Sequence, residues 1–119
     1  MDRKTAGILG EVAAAKFYRR AGFSLAASNY RTRFGEIDLV AENAHYLVFA
    51  EVKTRAENSM ILPREAVTPA KQRRIIAAAQ GYLEKFGDGG KQIRFDVIEV
   101  THNGADVVRV EQIENAFTA

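Results

Sequence analysis

Hydrophobic residues recur at helical spacing in two stretches of the chain, and each stretch predicts a helix. The first covers residues 5 to 21, and Gly22 is placed to end it as a left-handed cap. Thr68 is a suitable N-cap for the second, Pro69 suits its first turn, and Gly87 follows its last apolar residue. The stripe of the first helix is predicted to comprise Ile8, Val12, Ala15 and Tyr18. The stripe of the second comprises Ile75, Ile76, Ala79, Tyr82, Leu83 and Phe86.

Other segments are rich in β-branched and aromatic residues and predict strands. They cover residues 23–30, 36–42, 46–54, 92–100 and 107–113. Residues 56–67 lack periodicity and contain a proline, which predicts a loop before the second helix. The order of helix, three strands, helix and two strands predicts one α/β domain over residues 1–119, with a mixed sheet flanked by helices.

Composition narrows the class of protein. The chain has 119 residues, 47% of them hydrophobic, which suits a single modest core. It has no cysteine, so disulfides and thiolate zinc sites are excluded and a cytoplasmic protein is expected. Charges interrupt the apolar rhythm of the first helix, so we expect neither a secretory signal nor a membrane span. A net charge of +2 is compatible with nucleic-acid binding without requiring it.

Charged residues interrupt the otherwise hydrophobic hairpin in the first half of the chain. If Ala44 and His45 form a two-residue turn, Asp38 lies directly opposite Glu51. Lys53 points to the same face as Glu51, because side chains alternate along a strand. Two carboxylates about 5 Å apart at Cβ repel each other unless a cation lies between them. The register therefore predicts a divalent metal site, and the alternative is a solvated strand surface with ordinary ion pairs.

The residue types at this position suit Mg²⁺, which takes one or two protein carboxylates together with waters and phosphate oxygens. Asp38 and Glu51 would supply the carboxylates, and the backbone carbonyl of Val52 would add a third oxygen. Lys53 would orient or deprotonate a water, or neutralise charge on a phosphate. These residues together have the composition of a site for phosphodiester hydrolysis.

Glu11 lies on or beside the apolar stripe of the first helix, and a buried acid needs a partner. If that stripe packs near the hairpin, Glu11 becomes a metal ligand, directly or through water. The alternative is an ion pair with a neighbouring arginine such as Arg19 or Arg20.

Basic residues lie on both sides of the predicted site in the sequence. Arg31 and Arg33 precede its first acid, and Lys71, Arg73 and Arg74 crowd the start of the second helix. Cations near a helix N-terminus oppose the macrodipole, so this placement costs some stability. A nearby phosphate backbone would explain it, and a solvated charged face is the alternative.

Three other polar residues receive structural interpretations. Asp96 alternates with apolar residues in its strand, which favours a pairing with an arginine over a catalytic role. His45 and His102 are expected on the surface of turns, far apart from each other.

The motifs "GE" in the first helix, "N-x-R", "GEIDL", "EVKTR" and "RFDV" resemble the pattern of the YraN family of small bacterial proteins over nearly the whole chain. An acid on the first helix, followed by "GEIDLVA", "FAEVKTR" and a helix with a basic start, resembles the PD-(D/E)XK nuclease superfamily. The spacing of the acids and the lysine is also similar to that of archaeal Holliday-junction resolvases. Ile37 stands where the superfamily name has proline, which leaves Asp38 in place.

The resemblance implies a restriction-endonuclease-like αβββαβ core with an extra C-terminal strand. It implies a Mg²⁺ or Mn²⁺ site at Asp38 and Glu51, with Lys53 as the motif lysine and Glu11 as the additional helix acid of resolvase-like members. It also implies that Lys71 or Gln72, at the start of the second helix, touches substrate. The candidate nucleic-acid contacts are Arg31, Arg33, Arg55, Lys71, Gln72 and Arg74.

We therefore expect a metal-dependent endonuclease that acts on nucleic acid, DNA in preference to RNA, with branched junctions among its possible substrates. Catalytic roles would fall to Glu11, Asp38, Glu51 and Lys53. A homodimer would match a substrate with two-fold symmetry. The alternative from another class is a module that keeps the nuclease fold and binds nucleic acid or a protein partner without cutting. A purely structural protein is the third possibility, although opposed carboxylates gain nothing in such a protein.

Overall fold

The computed structural model describes residues 1–59 and 67–119. Its elements are α1 (Arg3–Arg20), β1 (Ser24–Thr32), β2 (Gly35–Glu42), β3 (Tyr46–Ala56), α2 (Pro69–Phe86), β4 (Gln92–His102) and β5 (Val107–Phe117). The strands form one sheet in the order β1-β2-β3-β4-β5, and every neighbouring pair is antiparallel except β3 and β4. This confirms the predicted αβββαβ order with an extra C-terminal strand. Of the loop predicted over 56–67, Ala56 belongs to β3, and residues 60–66 lie outside the described residues.

The helices cover opposite faces of the sheet, because strand side chains alternate between two hydrophobic clusters. On β3, Phe49 packs edge-to-face against Tyr82 of α2. Val48 and Ala50 belong to the other cluster, which contains Tyr18 of α1. The parallel pair β3 and β4 is joined through α2, as parallel strands require a crossover.

The helix ends follow the sequence signals. The side chain of Thr68 accepts a hydrogen bond from the Lys71 N–H at 3.2 Å, which caps α2. At the other end Gly87 has φ +75° and its N–H donates to the Leu83 carbonyl. Gly22 follows α1 with φ +90°, a conformation that glycine adopts without the steric cost of a Cβ.

The predicted stripe of α1 is wrong at Ile8 and Val12, whereas Tyr18 is buried and Ala15 packs partly buried against the core. The buried residues are Ala6, Gly10, Ala14 and Tyr18, at a spacing of four. Ile8 and Val12, which were predicted to be core, are 55% and 47% exposed. The reason is close approach: a Cβ built on Gly10 would overlap the side chain of Thr54 on β3, so the face against the sheet must carry small side chains.

Asp96 is completely buried and pairs with an arginine, as predicted. Arg94 donates to both carboxylate oxygens, at 2.9 and 3.0 Å. The Tyr18 hydroxyl donates to the same carboxylate at 2.7 Å, and Gln112 and the Asn115 N–H donate at 3.0 and 2.9 Å. A buried charge supplied with this many donors is a structural element that ties α1 to β4 and β5.

Both histidines were predicted to lie on the surface of turns, and the prediction holds for only one of them. His45 is exposed in the β2–β3 turn, as expected. The expectation for His102 is wrong: it is the last residue of β4, only 8% exposed, and its Nδ1 accepts a hydrogen bond from the Gly104 N–H. The strand runs two residues further than predicted and takes His102 into the sheet.

Candidate metal and nucleic-acid site

The strands β2 and β3 part at the end of their ladder, and the site lies where they part. The predicted register is confirmed, with residues 39–42 paired to residues 50–47. The backbone ladder stops there, one step short of Asp38 and Glu51. In its place the Oδ2 atom of Asp38 accepts a hydrogen bond from the Val52 N–H at 2.8 Å. The aspartate side chain thus bridges the gap that the sheet leaves open.

The side-chain alternation of β2 also slips at this point. Ile37 and Val40 both pack in the cluster that faces α2, whereas Leu39 packs in the cluster that faces α1. Regular alternation would put Ile37 and Leu39 on the same face. A local irregularity in side-chain direction therefore falls at Asp38, while the pairing of β1 with β2 stays in register on both sides of it.

Glu51 is 5% exposed and is held by two lysines. Lys71 Nζ lies 2.7 Å and Lys53 Nζ 3.4 Å from the same Oε1 atom. Lys53 comes from β3 itself, and Lys71 reaches across from the first turn of α2. The structure thus brings together Asp38, Glu51 and Lys53 as predicted, and it places Lys71, a candidate nucleic-acid contact, directly on the glutamate.

Asp38 has a carboxyl that resists ionisation. Burial, the charge of Glu51, a hydrogen bond between the two carboxyls and the charge of Glu11 together raise the pKa of Asp38 to about 7. The hydrogen bond from Val52 acts in the opposite direction and is too weak to prevent the rise. The carboxyls are therefore close enough to repel one another, as the register predicts.

The two lysines have pKa shifts of opposite sign. Burial, together with the neighbouring Lys71, lowers the pKa of Lys53, although Glu51 acts against this. Burial also acts to lower the pKa of Lys71, but its hydrogen bonds to Glu51 and Lys53 and the charges of Glu51 and Asp38 together outweigh burial, so the net pKa is raised. Lys53 is therefore the lysine that gives up its proton more readily.

Glu11 reaches the site because α1 packs closely on the sheet. Its neighbour Gly10 lies against Thr54 of β3, which brings the helix edge over the gap between the strands. Glu11 and Asp38 line the same cleft, of about 320 Å³. Within the described residues Glu11 forms no ion pair with an arginine, so the alternative interpretation of this acid is not supported.

Asn29 was missed in the sequence analysis, and it contacts the acids of this site. With its amide nitrogen turned toward the acids, it donates to Glu11 Oε1 at 2.9 Å and to Glu36 Oε1 at 3.1 Å. Its φ is +50° in the middle of β1, between Ser28 and Tyr30, which pair with β2. Such strain in a non-glycine residue concentrates at functional sites. The available signal was the asparagine of "N-x-R", because asparagine tolerates this conformation better than most residues.

The other candidate nucleic-acid contacts lie around the site in different environments. Arg31 is 81% exposed at its side chain and lies 3.7 Å from Glu36. Arg33 is exposed, with its guanidinium over the ring of Phe34. Arg74 is exposed on α2 and Arg55 is half-buried near the end of β3. Gln72 donates to the Val67 carbonyl at 3.2 Å and lines a separate cavity, which the carboxylates of the site do not line.

The donor atoms fit a hard divalent cation. Asp38 and Glu51 offer carboxylate oxygens, and because the N–H and C=O of a strand residue point to the same neighbouring strand, the Val52 carbonyl faces the same gap as its N–H. In the part of the chain that the structure describes, no three His, Cys, Asp or Glu side chains form a metal cluster. Two carboxylates, a carbonyl and open positions suit Mg²⁺ or Mn²⁺ better than a closed structural site.

Comparisons with known proteins place this site within a family. A family model described as "Uncharacterised protein family UPF0102" matches residues 10–100, which include Glu11, Asp38, Glu51 and Lys53. This agrees with the resemblance to the YraN family.

Individual relatives match over nearly their full length. "UPF0102 protein STH1475" of Symbiobacterium thermophilum is 45% identical over 119 residues, all of both chains. "UPF0102 protein HRM2_30940" of Desulforapulum autotrophicum is 44% identical over 98% of this chain and 95% of its own. A UPF0102 protein of Pseudothermotoga lettingae is 48% identical over 81% of this chain and 88% of its own.

Proposed function

Because the chain belongs to the uncharacterised UPF0102 family, its function must be argued from its site, and we propose that it is a metal-dependent endonuclease that hydrolyses phosphodiester bonds in nucleic acid. The observation that carries the proposal is a pair of neighbouring carboxyls where β2 and β3 separate: Glu51 is buried, Asp38 is partly buried, and Lys53 lies beside Glu51. Burial and the charge of Glu51 together raise the pKa of Asp38 to about 7, and a divalent cation would offset the cost of ionising this carboxyl. An ordinary ion-paired surface has no need of this arrangement.

Each residue of the site would have a separate role in hydrolysis. Asp38, Glu51 and the Val52 carbonyl would hold Mg²⁺ or Mn²⁺, with Glu11 contributing directly or through water. Such an ion supplies Lewis-acid stabilisation of the phosphate and lowers the pKa of a water molecule. Lys53, whose pKa burial lowers, is suited to orient that water, accept its proton or neutralise charge on the phosphate.

The surroundings of the site suit a polyanionic substrate. Arg31, Arg33 and Arg74 are exposed cations on β1, the β1–β2 turn and α2. Gly35, the first residue of β2 after that turn, packs against the backbone of Arg74, which brings the turn close to α2. Cations on these two elements would contact the phosphate backbone on either side of the scissile bond. The resemblance to Holliday-junction resolvases favours DNA over RNA and branched substrates among DNA forms, in a cytoplasmic protein.

The experiment is a cleavage assay on single-stranded, duplex, flap and four-way DNA with Mg²⁺ or Mn²⁺. We expect cleavage of at least one substrate, abolished by EDTA and by Glu51→Gln or Lys53→Ala. Glu84→Gln is the control, because Glu84 is an exposed acid on α2. Absence of cleavage on every substrate with both metals would overturn the proposal, and equal activity in the Glu51 and Glu84 variants would indicate a contaminant.

One observation favours a second candidate, a module that binds nucleic acid or a protein partner without cutting. Lys71 and Lys53 both contact Oε1 of Glu51, so this carboxylate is already neutralised by the chain's own cations. For a binding module the two lysines would be sufficient and no ion would be required. DNA binding with unchanged affinity after removal of metal, and no cleavage, would support this second candidate.

A further inference from the structure

A cleft between α1 and β1 begins at the proposed site and continues along the helix. Asp38 and Glu11 are among the residues that line it. Lys16 and Arg19 line it further along α1, toward the C-terminal end of the helix. From Glu11 to Arg19 the helix rises about 12 Å, at 1.5 Å per residue. The cleft therefore provides a path from the candidate metal site to a pair of cations.

One wall of this cleft is apolar. Ile8 and Val12 are 55% and 47% exposed and both line it, together with Leu25 of β1. These helix residues cannot face the sheet, because the close approach at Gly10 reserves that face for small side chains. An apolar wall beside a polar site gives the flat face of a nucleobase a surface to pack against.

The cations of the cleft are available for a ligand. Lys16 and Arg19 are exposed, and neither forms an ion pair in the described structure. Arg20, the next residue, is also exposed but lines a neighbouring cavity against the β4–β5 hairpin. That cavity shares Val12 and Lys16 with the cleft, whereas Arg19 lines only the cleft. Both arginines lie in the last turn of α1 and benefit equally from the helix dipole. The helix dipole therefore does not explain why Arg19 lines the cleft and Arg20 does not.

We propose that the α1–β1 cleft binds a single-stranded segment of nucleic acid adjacent to the reacting phosphate. Its bases pack against Ile8 and Val12, and a backbone phosphate contacts Lys16 and Arg19. At about 320 Å³ the cleft has the size of a small-ligand pocket, which suits one strand rather than a duplex. This rests on the proposed function and adds to it a substrate class: DNA with a single-stranded arm or an unpaired end.

The test compares Arg19→Ala with Arg20→Ala, two adjacent exposed arginines of which one lines the cleft. Binding of a fluorescent single-stranded oligonucleotide and of a matched duplex is measured by anisotropy over a series of salt concentrations without divalent ions. For Arg19→Ala we expect weaker binding of the single strand and a salt slope smaller by about 0.7, the value of one lost phosphate contact. We expect Arg20→Ala to retain the wild-type slope, and neither variant to change duplex binding.

A second pair of variants tests the apolar wall. Ile8→Ser should weaken binding of the single strand several-fold, whereas Val108→Ser should not, because Val108 is a comparably exposed apolar residue outside the cleft. Equal effects of the two arginine variants, or an unchanged single-strand slope, would overturn the proposal. If Ile8→Ser converts a dimer to a monomer without weakening binding, the cleft is occupied by a second copy instead. Because binding is measured without metal, a failure here is separate from a failure to cleave.

Discussion

Asp38 is the residue at which the cost of the site can be measured. Its side chain is partly buried, accepts a hydrogen bond from the Val52 N–H and lies next to a second carboxyl. Burial and repulsion together raise its pKa from 3.8 to about 7. The folded chain therefore holds a proton on Asp38 that the unfolded chain releases, which makes its ionised form a source of instability at neutral pH.

We predict that Asp38→Asn stabilises the protein at neutral and higher pH. Between about pH 4 and about pH 7 the folded wild type binds more protons at this group than the unfolded chain, so its stability falls as pH rises. Asparagine removes this dependence and still accepts the hydrogen bond from Val52. Chemical denaturation without metal should show a gain of roughly 2 kcal/mol at about pH 8 and little gain at about pH 4. A variant less stable than wild type at the higher pH would contradict the account.

Asn29 offers a separate test of how Glu11 is positioned. Asn29→Gly keeps a backbone that tolerates φ of +50° and removes the amide that contacts Glu11 and Glu36. We predict a stability within about 1 kcal/mol of wild type and a pH profile of cleavage that differs from wild type, because Glu11 loses its fixed position. Asn115→Gly is the matched control, since Asn115 has φ of +49° on β5, outside the site. A profile that is unchanged in both variants would show that the amide has no positioning role.

At the scale of elements, the packing of α1 on β3 decides whether Glu11 reaches the site. Gly10 and Gly7 lie one turn apart on the same helix, but only Gly10 lacks space for a Cβ. Alanine at position 7 meets nothing within 4 Å, so it should stabilise the helix by roughly 0.5 to 1 kcal/mol. Alanine at position 10 must push the helix away from Thr54.

We therefore predict that Gly10→Ala destabilises the protein by about 2 kcal/mol and that Gly7→Ala does not. The measurement is thermal or denaturant unfolding of both variants beside wild type. Because Glu11 moves with the helix, Gly10→Ala should also reduce cleavage. If the two substitutions have the same effect on stability, α1 does not pack on β3 as the structure shows.

The sequence predicted the elements well, because their signals are local. Caps at Thr68 and Gly87 and the alternation along β3 need only neighbouring residues to be read. The stripe of α1 was wrong because hydrophobicity suggested Ile8 and Val12, whereas the close packing of the helix on the sheet selects small residues. The distance between α1 and the sheet depends on tertiary packing. A single sequence shows it only through glycine and alanine residues at a spacing of four.

At the scale of the whole molecule, the carboxylate of Asp96 connects the halves of the chain. It accepts hydrogen bonds from Tyr18 on α1, Arg94 on β4 and Gln112 on β5. We predict that Asp96→Ala costs about 3 to 5 kcal/mol, because it leaves the buried guanidinium of Arg94 without this partner. Urea unfolding would measure this, with the exposed Asp106→Ala as a control expected within about 0.5 kcal/mol of wild type. Equal stability of the two variants would contradict this role.

The site is assembled from residues of several elements. Only the contacts within one hairpin could therefore be predicted from the sequence. The opposition of Asp38 and Glu51 followed from hairpin register and was predictable. The contact of Lys71 with Glu51 was not, because it depends on how the first turn of α2 returns over β3. The contact of Asn29 with Glu11 joins β1 to α1 and depends likewise on tertiary placement.

The most direct test of the central claim is a crystal of the protein grown or soaked with Mn²⁺ and examined by anomalous scattering. We predict an anomalous peak between the carboxylates of Asp38 and Glu51, near the Val52 carbonyl, with Lys71 displaced from Glu51. Manganese–oxygen distances should be close to the roughly 2.0 to 2.2 Å of small divalent ions. A crystal at saturating Mn²⁺ with no peak at this position, and with Lys71 still bound to Glu51, would contradict it.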